Sequence, residues 1–125
     1  MKKVYQKGQT LVILLIYMVV AIIITTGAVA AIVTNSKATD KLLQGTTALD
    51  VAESGAETAM IKLLRDPSYT GETLSVNGGT ADITISGTTT KTVISKGTLN
   101  NFTRTIQVTA SIINNVLTVT SWKEI

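Results

Sequence analysis

The feature that most constrains this chain is a long stretch without charge near its start. No charged side chain occurs between Gly8 and Ser36, and residues 11–33 are apolar apart from Thr25-Thr26-Gly27. As a helix, residues 11–33 would be roughly 34 Å long at ~1.5 Å per residue, and a bilayer core is about 30 Å thick. Each Leu, Ile or Val near the bilayer centre contributes about −0.3 to −0.6 kcal/mol of insertion free energy, which outweighs two threonines and a glycine. The stretch predicts a membrane-spanning helix.

The net charge of the chain is confined to the residues before this segment. Lys2, Lys3 and Lys7 precede it, and taking these three from the eleven basic residues leaves eight, which equals the number of acidic residues. Positive charge before a spanning helix predicts that the N-terminus lies in the cytoplasm and that the rest of the chain is exported. Because no basic excess remains downstream, we expect no nucleic-acid partner.

The residue types that build common catalytic and metal sites are scarce. The chain has no cysteine and no histidine, which removes disulfides, thiolate metal sites and the commonest general base. Ser54 beside Gly55 therefore has no evident base to activate it. Carboxylates at Asp50, Glu53 and Glu57 lack a loop that could complete the coordination of a metal. We expect a protein that is not an enzyme and that uses no cofactor or metal.

A helical pattern continues beyond the apolar segment. From Asn35 to Arg65, small or apolar residues recur at alternating spacings of four and three, as a stripe of Ala38, Leu42, Gly45, Leu49, Ala52, Ala56, Ala59 and Leu63. This periodicity predicts an amphipathic helix, and Pro67 predicts its end. Joined to the apolar segment, it forms a single helix from about residue 9 to residue 65.

Two sides of this helix each allow two interpretations. One side offers small side chains that permit the close approach of another backbone, either the chain's own sheet or a neighbouring subunit; its residues are Ala52, Gly55, Ala56 and Ala59. The other side is an acidic flank, either solvated or paired with a basic neighbour; it consists of Asp50, Glu53 and Glu57.

After Pro67 the composition changes to threonine, serine, glycine, asparagine and β-branched residues, which favour strands and turns. The candidate strands are residues 72–76, 80–87, 91–96, 103–113 and 116–123. Alternation is clearest where one face would carry Ile106, Val108, Ala110 and Ile112. Tight hairpins are predicted at Asn77-Gly78-Gly79 and Asn114-Asn115, and Trp122 is expected to pack. The predicted fold class is α+β, a long N-terminal helix packed on a small C-terminal antiparallel β-meander.

This arrangement resembles the type IV pilin family, including the pseudopilins of type II secretion. The resemblance rests on a short basic leader that ends in Lys7-Gly8, on Gln9-Thr10-Leu11 and the apolar helix after it, and on the meander. It implies that a membrane prepilin peptidase cuts after Gly8 and methylates the new amine of Gln9. The implied regions are a leader (1–8), a transmembrane half (9–34) and an amphipathic half (35–66) of the helix, and a sheet region (67–125).

Two positions depart from the family pattern. Gln9 stands where phenylalanine is usual, and Ile13, at the fifth mature position, stands where glutamate is usual. In the family that glutamate is thought to pair with the N-terminal ammonium of an adjoining subunit, and members without it are typically minor pilins at the tip or in initiation. The resemblance therefore implies a minor subunit, with a major pilin as the alternative inside the family.

The same resemblance implies the partners and the location of the chain. The partners are other pilin subunits, contacted through the N-terminal helix, the prepilin peptidase, and the membrane before assembly. The chain would first lie in the cytoplasmic (inner) membrane as a single pass, and then in an extracellular or periplasmic filament.

Two hypotheses outside the family stay open. In one, Ala28-Val29-Ala30 is a signal-peptidase site and the product is a secreted small β-domain that binds a ligand. In the other, an uncleaved anchor carries a small binding or sensor domain. The first residue of the mature protein separates the cases, since the filament subunit, the secreted module and the anchor would begin at Gln9, Ala31 and Met1.

Overall fold

The computed structural model describes residues 6–125, with side chains from Gly8 onward. It contains one helix, α1 (Gln6–Arg65), and five strands: β1 (Thr73–Val76), β2 (Gly79–Ser86), β3 (Thr90–Leu99), β4 (Phe102–Ile113) and β5 (Val116–Glu124). The chain divides into two units, Met1–Asp40 and Lys41–Ile125. The α+β class and all five strands are as the sequence predicts. The largest difference is at β3, which continues to Leu99 instead of ending at residue 96.

The five strands form one antiparallel meander in the order β1-β2-β3-β4-β5. The two predicted hairpin turns are confirmed, because Asn77 and Gly78 have φ angles of 50° and 78° and Asn114 and Asn115 have φ angles of 54° and 60°. Two successive positive φ angles match the right-handed twist of the paired strands, and Asn and Gly adopt them at low cost. The consequence is a sheet whose strands follow chain order.

The core lies between α1 and one face of the sheet. In β4 the predicted alternation is confirmed: Ile106, Val108 and Ala110 are buried, and Ile112 packs against the core. The side chains of α1 that close this core include the predicted stripe from Ala52 to Leu63, and also Ala48, Val51 and Met60. The opposite face of the sheet is mostly polar, as is usual for an antiparallel sheet covered on one side.

The connection between α1 and β1 is held by a small polar cluster. The backbone N–H of Asp66 donates to the carbonyl of Lys62 at 2.8 Å, which ends the helix just before Pro67. Lys62 forms an ion pair with Glu72, and the Tyr69 hydroxyl donates to Glu72 Oε1 at 2.9 Å. The Lys62 hydrogen bond, followed by that of Tyr69, lowers the pKa of the Glu72 carboxyl. The cluster ties the last turn of α1 to the start of the sheet.

The last strand is incompletely covered. Its pairing with β4 shifts register beside Thr109 and Ala110, so that Thr120 is an extra residue whose hydroxyl donates to the Thr109 carbonyl at 3.0 Å. Trp122, paired with Val108 on the helix-facing side, remains 42% exposed. The expectation that Trp122 packs was wrong, because the buried sheet residues all belong to β2, β3 and β4 and α1 does not reach over β5.

Candidate functional site

The first candidate site is the apolar part of α1. Every large apolar side chain between Leu11 and Val33 is exposed, at fractions from 46% to 72%. This is the one helix among the described residues that is long and apolar enough to cross a membrane, with a mean hydropathy of 2.7 in its most apolar window. Exposed aliphatic surface on this scale needs a cover other than water.

Three threonines, two within this part of α1 and one directly after it, do not interrupt its apolar surface with free donors. The hydroxyls of Thr25, Thr26 and Thr34 donate to the backbone carbonyls four residues earlier, at 2.6, 2.7 and 2.9 Å. In hydrocarbon an unsatisfied polar group costs several kcal/mol, so satisfaction within the helix removes most of that penalty. The segment is therefore compatible with lipid along its whole length.

The predicted processing junction lies at the start of α1. Gly8 and Gln9 are exposed and helical, and a side chain added at Gly8 would meet nothing within 4 Å. Ile13 is also exposed, at 48%. Most of the leader, residues 1–5, lies outside the described residues. Gly8 and Gln9 are therefore exposed within their own helix.

The small-residue side of α1 faces the chain's own sheet. Ala52, Ala56 and Ala59 are fully buried, and a Cβ at Gly55 would lie 2.3 Å from Ser95 Oγ and 2.8 Å from Ala81 Cβ. Of the two interpretations left open by the sequence, the structure therefore shows the intramolecular one. The surface that a neighbouring subunit would contact through these four residues is already occupied.

The acidic flank lies on the β5 side of α1. Val51 contacts β2, since a Cβ at Gly79 would lie 3.1 Å from Val51 Cγ2, whereas Ala52 faces Gly97 of β3. Successive residues of a helix are ~100° apart, so Glu53 points away from Ala52 in the sense opposite to Val51, toward β4 and β5. Glu57 is one turn further along the same side. Both carboxylates are exposed, and no ion pair reaches them among the described residues.

Across from the acidic flank, β5 presents an apolar surface, here named the β5 shelf. It comprises three helix-facing side chains of the strand, Leu117, Val119 and Trp122, whereas Glu124, which also faces that side, forms an ion pair with Arg104. Leu117 packs partly on the core, whereas Val119 is 45% exposed. The shelf and the acidic flank are therefore two exposed surfaces on the same side of α1.

The stripe predicted for α1 is longer than the sheet that covers it. Gly45 is buried against Phe102 and Arg104 of β4, but Leu42, one turn earlier, is 69% exposed. Lys41 beside it is also exposed. The continuation of the stripe ahead of Gly45 is therefore an apolar and basic surface that the chain itself does not cover.

Residues 6–125 contain no cluster of three or more acidic, histidine or cysteine side chains that could hold a metal ion. Ser54 uses its hydroxyl to donate to the Asp50 carbonyl at 2.8 Å. Ser54 and the acidic residues Asp50, Glu53 and Glu57 thus have the surroundings of side chains on the surface of a helix.

The exposure of the β5 shelf could not be predicted from the sequence. The alternation of β5 is broken by the extra residue Thr120, so Val119 and Trp122 fall on one face although their spacing in the sequence is odd. Whether a helix covers an edge strand of the sheet also leaves no signal in the sequence of that strand.

No family model, curated protein or solved structure matches this chain.

Proposed function

We propose that this chain is a structural subunit of a filament of the type IV pilus or type II secretion pseudopilus kind. Its N-terminal helix would be inserted in the cytoplasmic membrane, freed from its leader after Gly8 by a prepilin peptidase, and then packed with the helices of other subunits. The sheet region would lie on the outside of the filament.

The observation that carries this proposal is the division of one helix into two kinds of surface. From Leu11 to Val33 the apolar side chains of α1 are uncovered, whereas from Gly45 onward the same helix packs on a sheet. A subunit that passes from a bilayer to a filament needs this combination, because its apolar half exchanges lipid for neighbouring helices while the other half keeps its own fold. The exposed and unobstructed Gly8 adds support, since a peptidase must reach that backbone.

Ile13 favours a minor role at the tip or in initiation. An N-terminal ammonium in a filament core needs a carboxylate partner, and isoleucine cannot supply one. A major subunit is the second candidate role. The observation that favours it is the exposed basic and apolar surface at Lys41 and Leu42, which is available for contact with another copy.

The mature N-terminus tests the proposal. The full chain is expressed in cells that carry a prepilin peptidase, purified from membranes or sheared filaments, and its intact mass is measured. A chain that begins at methylated Gln9 and sediments with filaments supports the proposal. A chain that begins at Ala31 indicates the secreted module, and one that retains Met1 indicates the plain anchor; either result overturns it.

A further inference from the structure

The proposed cut after Gly8 would leave glutamine as the first residue of the mature chain. Glutamine differs from most residues at this position, because its own side-chain amide can reach the new α-amine through a five-membered ring. Gln9 is exposed, and a side chain added at the preceding Gly8 would meet nothing within 4 Å. The two reacting groups therefore have open space around them.

The apolar part of α1 offers this amine no carboxylate. The first acidic residue after Gln9 is Asp40, and at ~1.5 Å per residue of helix the two are about 46 Å apart along α1. Ile13, one turn after Gln9, is apolar and exposed. An ammonium is costly in apolar surroundings unless it is paired. This segment therefore needs either a carboxylate from a different subunit or an N-terminus without charge.

We propose that Gln9, once the leader is removed, closes to a pyroglutamyl lactam and so removes the positive charge of the mature N-terminus. The inference rests on the proposed function, because the α-amine of Gln9 exists only after the cut behind Gly8. It gives one explanation for both departures from the family pattern, glutamine at the first mature position and isoleucine at the fifth.

Ring closure balances without a co-reactant. The deprotonated α-nitrogen of Gln9 attacks Cδ of its own side chain, the bond from Cδ to Nε2 breaks, and the departing nitrogen takes the proton and leaves as ammonia. Both groups belong to one residue, so the reaction is intramolecular and needs no encounter between separate partners. A methylated amine keeps one hydrogen and a lone pair, so it can close the same ring. In either case the product nitrogen is an uncharged amide.

The lactam is also compatible with the start of α1. Its ring joins the backbone nitrogen to the side chain as the ring of proline does, and proline is favoured at the first position of a helix because its fixed φ matches the helical value. The positive end of the helix dipole disfavours a cation at the same place. Cyclised Gln9 therefore continues the helix without a charge at its end.

Ring closure changes which contacts of Ile13 bury a charge in a filament. Two cyclised copies can adjoin each other without burying a charge, because neither the lactam nor Ile13 carries one. Ile13 still leaves unpaired the ammonium of any different subunit beside it. The restriction to a minor role then comes from contacts with subunits that keep their ammonium.

The N-terminus of the chain in filaments tests the inference. Cells that make the filament are lysed in the presence of deuterated formaldehyde and cyanoborohydride, which dimethylate free amines at once and so prevent ring closure during purification. Intact mass and N-terminal fragment ions are then measured on the chain from sheared filaments. We expect most copies to be unlabelled at Gln9 and lighter by one ammonia than the uncyclised chain. A labelled amine on most copies overturns the inference.

The matched control is Gln9→Asn, which keeps an amide but would have to close a strained four-membered ring. Its N-terminal amine should be labelled in every copy. Relative to the amount of mature chain in membranes, the variant should enter sheared filaments several-fold less than the parent, because it keeps its ammonium. Equal entry of the variant and the parent would contradict the role assigned to the lactam.

The outcomes separate this inference from the proposed function. A chain that begins at Gln9 with a labelled amine, whether or not it also carries a native methyl group, overturns the lactam alone and leaves the cut after Gly8 in place. A chain that begins at Met1 or Ala31 has no amine at Gln9 and overturns both.

Discussion

Gly97 of β3 lies directly beneath Ala52 of α1. A Cβ on Gly97 would be 2.5 Å from the Ala52 nitrogen, 2.9 Å from its Cβ and 2.2 Å from the Ala48 carbonyl oxygen. The helix therefore rests on the backbone of β3 with no room for a side chain. Two small residues set the distance between the helix and the sheet, and the rest of the core is built to that distance.

The first prediction follows from this contact. Gly97→Ala should destabilise the sheet unit by about 1–3 kcal/mol or more, because the atoms that must move are backbone atoms. Denaturant unfolding of the full chain in detergent, followed by the fluorescence of Trp122, the single tryptophan, measures the change. The matched control is Gly45→Ala, where an added Cβ meets only ordinary contacts at 3.8 and 3.9 Å. That control should be neutral or stabilising by up to ~1 kcal/mol, since alanine favours helix. Equal effects at both positions would contradict the close-contact explanation.

A second prediction concerns the neighbouring residue Ser95. Its hydroxyl is fully buried and has no hydrogen-bond partner among the described residues. Removing an unsatisfied buried hydroxyl without changing the shape of the core avoids its desolvation cost. Ser95→Ala should therefore leave the free energy of unfolding unchanged or raise it by about 1 kcal/mol. The same unfolding measurement applies, with Ser111→Ala on the polar face of β4 as the control. A loss of stability in Ser95→Ala alone would show that the hydroxyl is satisfied in solution.

These contacts show how far the sequence could predict the fold. The stripe from Ala52 to Leu63 and the alternation from Ile106 to Ile112 gave the helix, the sheet face and their packing, because both patterns come from one-sided burial. The burial of Val51 and Met60 was missed, since the predicted stripe was one residue wide and the sheet covers a broader arc. The exposure of Trp122 was missed because it depends on which strands of the sheet α1 covers. No local pattern in the sequence encodes which strands are covered. The proposed processing junction at Gly8 was predicted from a local motif and does not depend on the fold.

The cluster at the end of α1 gives a third prediction. Burial, followed by the hydrogen bond to Glu72, raises the pKa of Tyr69 to about 12 from 10.0. Between these values the unfolded chain releases the tyrosine proton while the folded chain keeps it, so the free energy of unfolding should fall as the pH rises from 10.0 to about 12. Tyrosinate absorbance in a Tyr5→Phe, Tyr17→Phe background reports Tyr69 alone, because the chain has three tyrosines. Glu72→Gln should move the pKa of Tyr69 back toward its ordinary value. An unshifted titration in the parent would contradict the cluster.

The fourth prediction tests processing at Gly8. No atom of the described chain would obstruct a side chain there, so Gly8→Leu should leave the helix intact and act only on the peptidase, which must bind that backbone closely. We expect the leader to be retained. Intact mass of the protein from cells with the peptidase distinguishes the retained from the removed leader. Gly27→Leu is the control, because that position also has open space around it and lies away from the junction; it should mature normally. Identical maturation of Gly8→Leu and the parent would refute the assigned cleavage site.

The last prediction tests the proposed minor role in a filament through Ile13. An N-terminal ammonium buried without a carboxylate costs on the order of several kcal/mol, and Ile13 offers no carboxylate to the amine of the next copy. A subunit of this kind is tolerated in small number, so sheared filaments should contain this chain at a small fraction of the main subunit by quantitative mass spectrometry. Ile13→Glu should raise that fraction, because it supplies the missing charge, whereas Ile13→Gln, which is similar in size and uncharged, should not. If the unaltered chain is already the dominant component, the minor role is refuted, and a group other than residue 13 must neutralise the amine of Gln9.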